Sequence, residues 1–257
     1  MYHTLHYTLE DHVAAVTLNR PDRRNALGPE MINELLYALE NAHADPSVRV
    51  VLLQGAGSAF CAGADFSQFT GATTPSTLPM KGDFSDLLQA MVGATKPLVA
   101  RVQGPALGGG FGLVAACHLA VASETATFGT PEVLRGLWPM MIMAVLARTL
   151  PRRALLELML LGEKVTAEDA KRLGVVNRVV PAEALDATVK HLCGELAKRS
   201  PTAVRRGLGA LARLGERPLA ESLPLLRDEL FELLGTDDAR EGLQAYMEKR
   251  EPHWTGH

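Results

Sequence analysis

The alternation of apolar and polar positions begins at the N-terminus. Residues 5–9 and 13–18 each alternate enough for a strand, and Glu10, Asp11 and His12 between them predict a hairpin. A polar stretch over 19–27, N-R-P-D-R-R-N-A-L, then interrupts the pattern. Pro29 suits the first turn of a helix, and the spacing of Met31, Leu35, Leu36 and Leu39 carries that helix to about His43. The β-branched run 48–53 predicts a strand buried on both faces, as parallel strands are. A helix is predicted over 83–93 and a second buried strand over 97–102. Residues 113–117 continue apolar and Ala-rich, as a buried helix does, and 119–122 predict a short strand. Thr166 suits the cap of a short helix with an acid in its first turn, and 175–180 predict a last strand. Beyond residue 182 the pattern is helical, with breaks at Ser200-Pro201, Arg217-Pro218 and Gly235-Thr236. The expected class is therefore α/β, with a strand-rich part over 1–180 and a helical region over 181–257. Residues 66–79 hold a Thr/Pro/Gly-rich patch and are expected to be mobile. No internal repeat is visible.

Two glycine-rich loops stand out against this pattern. Residues 104–117 read G-P-A-L-G-G-G-F-G-L-V-A-A-C, between a predicted strand and a predicted buried helix. Glycine permits positive φ and close approach of a ligand to bare backbone. A helix start adds N–H groups without partners and the positive end of the dipole, which suit an anion or a carbonyl about to become one. Close packing of the helix on a sheet is the other reading of the same glycines. A dinucleotide site does not fit, because Gly110 comes eight positions after Val102, whereas that motif opens directly after its strand. No lysine follows the glycines as a phosphate-cradling loop requires. The second loop, 55–65, reads G-A-G-S-A-F-C-A-G-A-D and also follows a strand, where α/β sheets bind ligands.

Composition narrows the classes. The 257 residues are 47% hydrophobic and 21% charged, with net charge −3, which indicates a protein with a core and no broad basic surface for nucleic acid or membrane. Three cysteines, Cys61, Cys117 and Cys193, are too few and too scattered for a disulfide framework or a cysteine zinc site. No apolar run approaches the roughly 20 residues of a membrane span. The first ten residues show no signal-peptide pattern, so a cytoplasmic location is expected.

The candidate chemistry is sparse. Arg20, Arg23 and Arg24 cluster in the 19–27 loop, which is either solvated or a grip for a phosphate-bearing ligand. Ser58 and Cys61 lack the base and orienter that a nucleophile needs, and they read as packing residues. Glu132 is the one acid in the turn-rich stretch 126–136, with apolar residues downstream through Leu150. It is either a surface glutamate at a helix start or a carboxylate facing an apolar pocket, where its pKa would rise and fit it for acid–base work.

Taken in order, these motifs resemble the crotonase (enoyl-CoA hydratase/isomerase) superfamily over essentially the whole chain. The resemblance rests on N-R-P-D-R-R-N-A-L, A-F-C-A-G-A-D, K-P-L-V-A-R-V-Q-G-P-A-L-G-G-G-F-G-L and A-T-F-G-T-P-E-V-L-R-G. L-L-G-E-K-V-T-A-E-D-A-K-R-L-G-V-V-N-R-V-V-P and the ending E-G-L-Q-A-Y-M-E-K-R-E-P-H-W complete it. It implies repeated ββα units with C-terminal helices, a homotrimer or dimer of trimers, and an acyl-CoA thioester as substrate. No metal and no covalently bound cofactor is implied. The thioester oxygen would sit between the backbone N–H groups of Ala64 and Gly109, with Glu132 as acid/base. Arg23, Arg24 and Ala62 would meet the CoA, and Lys249 would reach a neighbour's. Hydratases of this family carry a second glutamate, whose place here falls on Gly112, in G-G-G-F-G. A region usually written P-G-x-G-G is Pro139-Met140-Met141-Ile142-Met143, and His118, where Asp is common, reads as structural. The departure at 112 leans toward one-carboxylate chemistry, such as double-bond isomerisation. A catalytically idle acyl-CoA-binding trimer is the alternative from another class.

Overall fold

Strands β1 (Leu5–Glu10) and β2 (Val13–Leu18) pair antiparallel across Asp11 and His12. Both turn residues have positive φ, 48° and 66°, the twist a two-residue hairpin requires. Helix α1 (Pro29–Ala44) follows, then β3 (Val50–Gly55), two residues later than the β-branched run alone suggests. The computed structural model describes residues 2–65, 78–215 and 217–257, so nearly all of the stretch expected to be mobile lies outside the described residues.

The chain resumes with α2 (Phe84–Val92), whose N-terminus is fixed by a reciprocal capping box between Asp83 and Asp86. Next come β4 (Leu98–Val102), β5 (Ala106–Leu107), α3 (Gly109–Ala116), β6 (Leu119–Ser123) and β7 (Thr127–Gly129). A 3₁₀ turn over Pro131–Arg135 leads into α4 (Met140–Leu146) and α5 (Arg152–Leu161). Then follow β8 (Lys164–Thr166), α6 (Ala167–Arg172), with Thr166 and Asp169 closing the capping box, and β9 (Arg178–Val180). Four helices end the chain: α7 (Leu185–Ala197), α8 (Pro201–Leu214), α9 (Leu219–Leu234) and α10 (Asp237–Glu248). The stretch 126–136, which reads as turns, thus contains a strand.

The larger sheet has the order β1-β2-β3-β4-β6-β9 and is parallel except for the β1 hairpin. Alternation along its strands fills two cores. Val51, Leu98, Ala100, Val102, Ala120 and Ala122 face the main core with α1, α2 and α3, while Val50, Val99 and Val121 face the other way. That second face is covered by Leu185, Val189, Cys193 and Ala197 of α7. So the first helix of the C-terminal region packs on the sheet itself. A small sheet, β5-β7-β8, stands beside the first and carries the two segments that form the site. No helix among the described residues is long and apolar enough to cross a membrane.

Candidate active site

The loop after β3 is held open by side-chain amides. Asn25, fully buried with φ 56°, donates its Nδ2 to the carbonyls of Ala56 and Ala59 at 2.8 and 2.9 Å. Gln103 Nε2 donates to the Gly55 and Ala59 carbonyls at 2.7 and 2.9 Å. Sequence reasoning passed over both residues. Gln103 directly precedes the glycine-rich stretch 104–117, whereas Asn25 lies in the arginine loop and carries no local signal of this role.

The pinned loop then zips onto its neighbours. Cys61 N–H donates to the Pro105 carbonyl, and Leu107 N–H donates back to the Cys61 carbonyl, at 3.1 and 2.9 Å. Leu27 N–H donates to Gly63 O, and Asp65 N–H donates to Leu27 O, at 2.7 and 2.8 Å. Because the groups flanking Ala64 make this bridge, the Ala64 N–H itself points away from Leu27. Gly109 is the first residue of α3, so its N–H has no partner within the helix. Among the described residues neither amide meets an acceptor. Gly63 and Gly108 bring the two loops together, with φ of 97° and 51°. A Cβ built on Gly108 would lie 3.6 Å from Gly63 Cα, and 2.8 Å from Glu132 Oε1.

Glu132 reaches that junction because β7 pairs with β5. Leu107 is level with Gly129, and Gly108 N–H donates to the Gly129 carbonyl at 2.9 Å. The 3₁₀ turn two residues later sets the carboxylate over Gly108. Glu132 Oε2 is buried and has no hydrogen-bond partner. Burial pushes the Glu132 pKa above the ordinary glutamate value, and a backbone hydrogen bond and the Arg135 charge oppose this only in part.

These groups open on a cavity of about 360 Å³ with an apolar wall of Ile32, Phe84, Trp138, Met140, Met141 and Ile142. Its only carboxylates among the described residues are Glu132 and Asp65, and Asp65 is ion-paired with Arg20 at 2.9 Å. Gly112 sits buried in the middle of α3. A Cβ there would stand 2.3 Å from Ile142 Cγ2 and 2.9 Å from Ile142 Cβ, so Ile142 holds the space that a side chain at 112 would need.

Of the expected ligand contacts, Arg23 and Arg24 lie exposed in the 3₁₀ turn Pro21–Arg23 and its left-handed cap. The Arg24 carbonyl accepts from Ala62 N–H at 3.0 Å, which joins the arginine loop to the rim of the cavity. Lys249 is exposed at the end of α10 and does not line this cavity. Cys61 is fully buried and its thiol pKa is pushed up to about 12 by burial, which suits packing and not nucleophilic attack. His118 Nδ1 accepts from the Leu98 N–H at 2.9 Å and ties α3's end to β4.

A family model described as enoyl-CoA hydratase/isomerase matches residues 8–257. The chain belongs to the enoyl-CoA hydratase/isomerase family. Within it, a Thermus thermophilus protein provisionally named an enoyl-CoA hydratase is 38% identical, over 95% of this chain and 97% of its own. A mevalonyl-coenzyme A hydratase of Aspergillus fumigatus is 34% identical over 95% of this chain and 91% of its own. The crystal structure of a Mycobacterium smegmatis enoyl-CoA hydratase matches with a TM-score of 0.90 at 34% identity, covering 98% of each chain. The crotonase fold read from the motifs is thus the fold of this family member.

Proposed function

We propose that this enoyl-CoA hydratase/isomerase family member stabilises a thioester enolate between the Ala64 and Gly109 amides and moves protons with Glu132 alone. The observation that carries this reading is the filling of the space beside Gly112 by Ile142, which leaves Glu132, among the described residues, as the only carboxylate over the glycine junction. Adding water to a double bond normally uses two groups, one to activate the water and one to supply the proton. Moving a double bond needs one. Glu132 takes a proton from C2 of a 3-enoyl thioester, the electron pair runs through the carbonyl onto the thioester oxygen, and the two amides hold that oxyanion. The protonated Glu132 then returns the proton to C4 as the enolate collapses to the 2-enoyl thioester. The amides are expected to be the largest contribution, with each donor worth about 2.7–4 kcal/mol. The apolar cavity wall supports an unsubstituted hydrocarbon acyl group.

The exposed Arg23 and Arg24, with Ala62, support a CoA-binding rim, and Lys249 is assigned to the CoA of an adjacent subunit. Apolar side chains left exposed on α9 and α10, among them Leu219, Phe231, Leu243 and Tyr246, support a trimer-based assembly. A paired experiment separates chemistry from binding. Glu132→Gln should lower turnover by about 10²–10⁴-fold while CoA still binds. Arg24→Ala should weaken CoA binding about tenfold, as loss of a charge-assisted hydrogen bond does. Glu132→Gln turnover within tenfold of wild type would place the proton transfer on another residue.

A further inference from the structure

Away from the thioester cavity, the N-terminal segment meets the first two turns of α1 through His3, Glu30 and Glu34. The two glutamates are one turn apart on α1, and both are buried, at 6% and 1% exposure. Carboxylates at this spacing repel, and burial raises the cost of each charge. Glu34 is compensated by donors. Its Oε1 accepts from His3 N–H at 2.7 Å, and its Oε2 from the N–H and Oγ1 of Thr4 at 2.8 and 2.6 Å. Two donors fill Oε2, while Oε1 keeps a lone pair. Glu30 differs, because its buried Oε1 has no hydrogen-bond partner. Its basic neighbour is the His3 ring, whose Nδ1 lies 3.3 Å away on a side chain 52% exposed. One ligand atom from each of the three residues lies within 4.8 Å of the others.

We infer that His3, Glu30 and Glu34 form a binding site for one first-row transition-metal cation, for which zinc is the fitting probe. One imidazole nitrogen with two carboxylate oxygens is a mixed N/O set, which zinc accepts, whereas magnesium and calcium prefer oxygen alone. Ligand atoms on a tetrahedral zinc with bonds of about 2.0–2.2 Å stand about 3.3–3.6 Å apart, so the three groups draw together on binding by up to about 1.3 Å. A cation here satisfies the orphaned Glu30 oxygen and the remaining lone pair of Glu34 Oε1 together. It also ties the N-terminal segment to the helix that builds one wall of the cavity. Ile32 of α1 lines that cavity, and Asn33 donates to the Pro79 carbonyl and accepts from Lys81 N–H, at 3.0 and 2.7 Å. The metal is therefore a structural clamp, separate from the chemistry of Glu132.

The test uses the full chain without an affinity tag, stripped of metal, and titrated with zinc chloride by calorimetry alongside thermal denaturation. One zinc per chain should bind and raise the melting temperature, and magnesium at the same concentration should do neither. His3→Ala and Glu30→Gln should each weaken zinc binding by more than about tenfold, the least that disturbing even a metal's outer shell commonly costs. His3→Ala removes a largely exposed ring and keeps both buried carboxylates, so it serves where Glu30→Gln fails to fold. Absence of zinc binding would overturn the inference. So would zinc binding unaffected by His3→Ala, or magnesium binding of equal strength.

Discussion

Gly112 and Ile142 are thirty positions apart in the chain yet occupy one volume, and their coupling can be measured. A Cβ at 112 would lie 2.3 Å from Ile142 Cγ2, where carbon atoms pack best at about 3.5–4.0 Å. Any side chain at 112 therefore overlaps Ile142 by more than an ångström. Gly112→Glu alone should cost about 1–3 kcal/mol from overpacking, with a further cost from the buried carboxylate. Truncating Ile142 to alanine does not clear the space, because the Ile142 Cβ is itself 2.9 Å from the built atom. Glycine does clear it, since the next contact is Ile142 Cα at an ordinary 3.7 Å. Ile142→Gly alone removes a buried side chain, about 2–5 kcal/mol, and places glycine inside a helix, about 1 kcal/mol more. In the double variant the new side chain occupies the vacated volume, so the two losses should fail to add by about 0.5–3 kcal/mol. At roughly 2–4 °C per kcal/mol for a chain of this size, the double variant should melt several degrees above the additive expectation. Denaturant unfolding of all four proteins gives the cycle, and hydration of a 2-enoyl thioester gives its functional readout. Additivity within about 0.5 kcal/mol would show that the residues do not share space, and the single-carboxylate argument would lose its structural basis.

Glu132 also predicts a pH signature. Its folded-state pKa is raised by burial, so the folded chain holds the proton to higher pH than the unfolded chain. From the ordinary glutamate value of about 4.3 up to the raised folded value, stability from this group falls as pH rises. Glu132→Gln should therefore melt above wild type at pH 8 and lose that advantage at pH 4; an advantage that grows on acidification would contradict the assigned environment. For assembly, light scattering should give a multiple of three times the 27.6 kDa chain, and a clean monomer would remove the role given to α9 and α10.

Much of the architecture was legible because burial leaves a period in the sequence. Val50, Val51, Val99 and Val102 form continuous apolar runs because α7 covers one sheet face and α1 to α3 the other. Ser200-Pro201, Arg217-Pro218 and Gly235-Thr236 marked the helix breaks because capping and proline chemistry are local. β5, β7 and β8, with two or three residues each, are too short to show alternation, so the small sheet that carries Gly108 and Glu132 together was invisible. The amide clamps of Asn25 and Gln103, and the seating of Ile142 on Gly112, depend on contacts between distant segments that no local pattern encodes.

The central claim is that one carboxylate does the chemistry, and the partition of products tests it most directly. Wild-type protein incubated separately with a 2-enoyl and a 3-enoyl CoA thioester should move the double bond faster than it adds water, with the migrated proton leaving and returning through Glu132. Efficient hydration of the 2-enoyl thioester without migration of the 3-enoyl double bond would contradict that claim.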